Sequence, residues 1–180
     1  VEGLRGILFR QLFVRVLSRR ATTGTLIFGH LRLPCALGRG GCKPLKREGD
    51  GATPLGRFPL RQAYFRPDRL ARPRTGLPLR PIRADDGWCD APGDRNYNRL
   101  VRRPYPASAE RMWRADQLYD IVVVLGYNDR PRVQGRGSAI FLHVARGALE
   151  PTEGCIAVRR ADFRKLLPLL GPRTVLRVGA

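Results

Sequence analysis

"SAIFLHVARGALEPTEGCIAV", residues 138–158, holds an apolar run that ends near a histidine, a polar connection, and a cysteine that opens a second apolar run. Branched and aromatic residues bounded by Gly, Pro and Glu are the pattern of strands joined by turns. Strand alternation puts Phe141, His143 and Ala145 on one face. His143 and Cys155 therefore flank a single connection, and two readings stay open at this point. One is a nucleophile and its base. A free thiol is only a few per cent ionised near neutrality, so a catalytic cysteine needs an adjacent base or fixed dipoles. Gly154 lets the backbone turn closely and offer amide N–H groups beside the sulfur. The other reading is structural, with His143 half-buried on a backbone partner and Cys155 a small buried hydrophobe. Strand register decides between them, and spacing does not give it.

Outward from this stretch the same pattern repeats. "LFVRVL" (12–17), "TLIFGHLRL" (25–33), "LYDIVVVLGY" (118–127) and "TVLRV" (174–178) are separated by Gly, Pro, Asn and Asp clusters. The spacing predicts a mainly β protein. One segment differs: in "RRADFRKLLPLLG" the apolar positions Phe163, Leu166, Leu167 and Leu170 are spaced i, i+3, i+4, i+7, which predicts a short amphipathic helix ending near Pro168. Residues 66–116, rich in Pro, Arg and Asp, lack clear periodicity and are expected to form a functional loop excursion. A length of 180 residues fits one domain over 1–180, with no internal repeat and no linker.

The formal net charge of +19, spread along the chain, predicts a positive surface suited to an anionic polymer. Cys35, Cys42, Cys89 and Cys155 include no Cys-x-x-Cys pair, and His30 and His143 lie far apart, which argues against zinc. A Cys35–Cys42 disulfide stays open, because bridging depends on geometry. His30 alternates with Phe28 and Arg32 and is read as a structural strand residue. The glycine-rich "ALGRGG" lacks phosphate-loop spacing. Asp85, Asp86 and Asp90 surround Trp88 and Cys89, either as a solvated loop or as a cation-binding spot with an aromatic wall. Residues 1–20 read as a strand rather than a signal peptide or membrane helix, since Arg10 and Arg15 interrupt the apolar run.

Three blocks in order, "KREGDGATPLGRFPL" (46–60), "LYDIVVVLGYNDRPRVQGRGSAIFLHVA" (118–145) and "PTEGCIAV" (151–158), resemble the L,D-transpeptidase catalytic domain, the YkuD family. With the strands between them they cover most of the chain from about Arg15 to Val178. The resemblance implies a bent β-sandwich or barrel-like fold with a cysteine at the bottom of a cleft. It implies Cys155 as nucleophile, His143 as base, and backbone amides of Gly154 and Cys155 as the oxyanion hole. Thr152 falls at the family's Ser/Thr position. Glu153 stands where the family has a second histidine, and Ala157 where it has Asn or Arg; the gap from His143 to Cys155 is shorter than usual. Trp88 and Asp90 are expected, with Thr152 and Glu153, to face the substrate.

The implied partners are peptidoglycan stem peptides, processed through a Cys155 thioester with release of D-alanine, without cofactor or metal, in the periplasm or cell envelope. A hydrolase of cell-wall peptides is the alternative outcome of the same dyad, although papain-like and NlpC-like enzymes place the cysteine before the histidine. A basic module for nucleic acid is not expected, because no helix-turn-helix or aromatic platform is visible. A catalytically silent wall-binding domain is the third alternative, motivated by Glu153 and Ala157.

Overall fold

The branched apolar runs become strands that close on one another. A computed structural model describes residues 11–179. In it β1 (Gln11–Arg15) pairs antiparallel with β2 (Thr23–Phe28), β2 with β3 (Leu31–Ala36), and β3 with β13 (Ile156–Val158). From β13 the sheet continues in parallel to β12 (Phe141–Val144) and antiparallel to β11 (Ile121–Leu125) and β6 (Gly56–Phe65). β6 then meets β14 (Val175–Gly179), which returns in parallel to β1. These pairings close a ring, and β7 (Leu79–Pro81) extends it beside β6, while β4 (Cys42–Lys43) and β5 (Thr53–Pro54) form a separate parallel pair. Closure removes the unpaired edges that a long sheet would otherwise expose.

The interior is filled by alternate residues of each strand, among them Leu12, Val14, Leu26, Leu142, Val144, Ile156, Val158 and Leu176. A bulge in β6 keeps the pattern consistent around the ring. Val124 pairs with Gln62 and Leu125 with Leu60, so Arg61 is the extra residue. That insertion lets Leu60 and Ala63 both face the core, while Tyr64 turns to the other side. The predicted helix is α1 (Arg160–Leu166), continued by a 3-10 turn (Leu167–Leu169), and Phe163, Leu166, Leu167 and Leu170 are all buried against the same core.

The middle of the chain departs from expectation. Within residues 66–116 lies a second small sheet of β10 (Ala109–Arg111), β8 (Asp86–Cys89) and β9 (Arg99–Arg102), so the excursion has its own pairing. Its strands are too short and too polar to give a periodic signal. Asp86 is fully buried there between Arg80 at 2.9 Å and Arg102 at 2.7 Å, and Arg102 also takes Asp85 at 2.7 Å. Trp88, Ile82 and Met112 pack over the outer face of the ring, against Tyr119, Phe141 and Cys155.

Two smaller expectations are also settled. His30 is exposed in the tight turn between β2 and β3, where Gly29 takes a φ of +58°; the run 25–33 is a hairpin rather than one strand. Cys35, Cys42, Cys89 and Cys155 are free and buried. Residues 1–10, the first half of the segment read as a strand, lie outside the described residues. Among the described residues no helix is long and apolar enough to cross a membrane.

Candidate active site

The register of β12 and β13 turns a sequence gap into proximity. Their parallel pairing sets Leu142 opposite Ile156 and His143 opposite Ala157. Phe141 and His143 therefore share a face with Cys155 and Ala157, and that face points away from the barrel interior toward the small sheet.

The turn before the sulfur is held at several points. Gly154 has a φ of +127°, and a Cβ there would sit 2.7 Å from the Ala52 carbonyl and 3.3 Å from Lys46 Nζ, so no other residue fits without movement. The Thr152 hydroxyl donates to the Cys155 carbonyl at 2.6 Å and accepts the Gly154 N–H at 3.1 Å. Thr152 N donates to the Leu37 carbonyl, and Arg39 N donates to the Thr152 carbonyl. Beneath the turn, Lys46 is buried and ion-paired to Asp50 at 2.7 Å.

The sulfur lies between one donor and one acceptor. Phe141 N–H donates to Sγ at 3.3 Å, and the thiol donates to the Ala139 carbonyl at 3.2 Å. Burial pushes the thiol up to about 12 and Glu110 adds to this, while the Phe141 amide and Lys46 act in the opposite direction. The geometry matches this direction, since the thiol hydrogen is directed at a carbonyl oxygen.

His143 is buried, with Nδ1 2.8 Å from the Val144 carbonyl. A carbonyl can only accept, so Nδ1 carries the proton and Nε2 keeps its lone pair. Burial holds the imidazole down to about 4, reinforced by Arg114 and opposed by the Val144 carbonyl. The Tyr119 ring meets His143 edge-on at 5.4 Å, and its hydroxyl donates to Glu110 at 2.5 Å. Beside His143 the Ala157 methyl supplies no polar contact, so the Val144 carbonyl and the Tyr119 ring orient the imidazole.

Both side chains open into one cleft of about 480 Å³. Its lining includes Glu48, Asp90, Glu110, Glu150 and Glu153, against Arg114 and Arg146. In a chain with 34 basic and 15 acidic residues this local excess of carboxylates reverses the overall charge. One Asp90 carboxylate oxygen is buried there without a hydrogen-bond partner among the described residues.

Of the residues singled out from sequence, the fold brings Cys155, His143, Thr152, Glu153 and Asp90 to this cleft, with Gly154 in the turn behind it. Glu153 is exposed at the rim, where Arg39 donates to it at 2.8 Å. Trp88 goes elsewhere: it packs edge-on to Phe141 at 5.1 Å and lines a separate cavity of about 240 Å³. Sequence reasoning did not single out Tyr119, Glu110, Lys46 or Arg114. None belongs to a short-range pattern; they reach the site only through tertiary pairing. Among the described residues no three His, Cys, Asp or Glu side chains gather in a way that could hold a metal ion.

The family model of the L,D-transpeptidase catalytic domain, YkuD, matches residues 19–178. Among solved structures, the crystal structure of Mycobacterium tuberculosis L,D-transpeptidase 1 is similar at 14% identity and a TM-score of 0.38, covering 93% of this chain and 61% of that one. The chain thus spans about three fifths of that structure's length. No match is found among curated proteins.

Proposed function

The chain belongs to the family of L,D-transpeptidase catalytic domains, and from that premise we propose that it is a cysteine acyltransferase acting on peptidoglycan stem peptides, with Cys155 as nucleophile and His143 as base. The observation that carries this reading is the β12–β13 register, which sets both side chains on one face of one cleft with Nε2 left free.

The thiol first turns from the Ala139 carbonyl to which it donates, and its proton passes from Sγ to Nε2 as the sulfur attacks. The electrophile is the carbonyl joining the third stem residue to the terminal D-alanine. The imidazolium formed is stabilised at Nδ1–H by the Val144 carbonyl. Amides of Cys155 and Gly154 stabilise the oxyanion, a type of contact worth about 3 kcal/mol per donor in other acyl-transfer sites; the Gly154 N–H must first leave Thr152. His143 then protonates the departing D-alanine amine, leaving a Cys155 thioester. An amine of a second stem attacks the thioester, its proton passes to His143, and Sγ leaves with that proton to regenerate the thiol.

Water in place of the amine would make the same site a carboxypeptidase. The carboxylates around the cleft favour an ammonium-bearing partner, which supports the amine. On this reading Asp90, Thr152 and Glu153, which line the cleft, meet the stem peptides. A murein substrate puts this chemistry in the cell envelope.

The test is incubation with disaccharide tetrapeptide and mass spectrometry of the products, with Cys155→Ala in parallel. D-alanine loss with dimer formation, absent in the variant, is the expected result. Intact substrate with folded protein would end the enzyme reading, and D-alanine loss without dimer would select the hydrolase.

A further inference from the structure

Ala139, whose carbonyl accepts the Cys155 thiol, has a φ of +51°. An alanine enters this left-handed region only against steric resistance, so something outside the segment must hold it there. The holding contact is on the other side of the same residue: Ala139 N–H donates to Asn98 Oδ1 at 3.1 Å.

Asn98 is buried, and its amide is used completely. Oδ1 also accepts the Trp88 indole N–H at 2.9 Å, while Nδ2 donates to the Tyr127 carbonyl at 3.0 Å and the Asn128 carbonyl at 2.9 Å. Two donors meet the oxygen and two acceptors meet the nitrogen, so the amide cannot flip without setting like against like. An aspartate would lose both donors, and an aliphatic residue would leave buried polar groups unpaired.

We infer that Asn98 is a positioning residue for the nucleophile, clamping Ala139 in its strained conformation so that the thiol has a fixed acceptor and a fixed direction. Trp88 belongs to the same device, one bond further out. Asn98 precedes β9 of the small sheet, whereas Ala139 precedes β12 of the barrel. The clamp therefore ties the cover to the strand that carries the base. A carbonyl oxygen accepts from a thiol and repels a thiolate, so the clamp keeps the proton on sulfur until His143 takes it. The inference rests on Cys155 being the nucleophile.

The test reads sulfur chemistry directly and needs no turnover. Alkylation of Cys155 by iodoacetamide is followed by peptide mass spectrometry from pH 7 to 11 in wild type and Asn98→Ala. Removing the acceptor should favour the thiolate and speed alkylation at pH 8 roughly five- to tenfold, with Cys35, Cys42 and Cys89 still protected. The other titratable groups whose fields reach this sulfur, Glu110, Lys46 and Tyr119, are unchanged in the variant, as is His143 in the same cleft.

Adding Ala139→Gly to Asn98→Ala should recover part of the wild-type profile, since glycine keeps a positive φ without resistance. A purely structural asparagine would instead expose all four cysteines together and show no recovery. An unchanged Cys155 profile in folded Asn98→Ala overturns the inference. If that variant does not fold, Trp88→Phe decides, with a smaller shift in the same direction supporting the clamp and an unchanged profile overturning it. Failure of wild type to release D-alanine, with the Asn98→Ala shift in alkylation still seen, would overturn the transpeptidase reading and leave only the clamp on the thiol's acceptor standing.

Discussion

The two faces of β12 and β13 are built by different rules. Toward the barrel interior stand Leu142, Val144, Ile156 and Val158, side chains that need only shape and apolar neighbours. Toward the small sheet, one residue along each strand, stand Phe141, His143, Cys155 and Ala157, where every buried polar atom needs a specific partner. The inner face is sealed by the whole ring. The outer face is covered by a short sheet that leaves a cleft open above the sulfur. The proposed dyad thus stands on strands whose other side holds the fold together, so damage to chemistry and damage to stability should separate residue by residue.

The largest expected effect tests that separation on the outer face. Cys155→Ser keeps a hydroxyl between Phe141 N–H and the Ala139 carbonyl, yet should lower D-alanine release by at least about 1000-fold, with an unchanged denaturation midpoint. On the inner face, Ile156→Ala should cost about 2–5 kcal/mol of stability, read from urea unfolding. If Ile156→Ala left stability intact, the contrast between the faces would fail.

A third prediction concerns the cost of burying the imidazole. The folded His143 is held down to about 4, and an unfolded histidine titrates near 6.5. Between these values the unfolded chain binds the extra proton, so this contribution to stability is complete above about pH 6.5 and lost as pH falls toward 4. The slope should amount to an order of 3 kcal/mol across the window and should flatten in His143→Gln, as measured by chemical denaturation at pH 4.5 and 7. The smallest effect belongs to the rim: Glu153→Gln breaks an exposed pair with Arg39 and should change stability by less than about 1 kcal/mol.

The fold was legible wherever local pattern dictates local structure. The branched runs became strands, and of the i, i+3, i+4, i+7 positions Phe163 and Leu166 lie in the helix, Leu167 in the 3-10 turn and Leu170 just after it, all four buried as expected. The run at 25–33 misled because Gly29 and His30 make a turn without breaking the apolar composition. The cover sheet was hidden because three strands of three or four residues carry too little period to register. In the site, His143 and Cys155 stood out by residue type and by resemblance, and their proximity was hidden because register is a property of two strands together. Trp88 shows the same limit: Asp86 and Asp90 lie two positions to either side in sequence, but its indole N–H bonds to Asn98, ten residues on.

The segment joining β12 to β13 leaves one strand after Val144 and re-enters the next at Ile156, and Thr152 fastens its far end to Gly38 by an isolated bridge. Residues between about Arg146 and Pro151 are thus a handle whose ends are fixed independently of its span. Lengthening or trimming the handle would reshape the roof over the cleft, where Arg146, Glu150 and Pro151 stand, without changing the register of β12 and β13. The rim of the cleft can vary there while His143 and Cys155 stay where the sheet holds them.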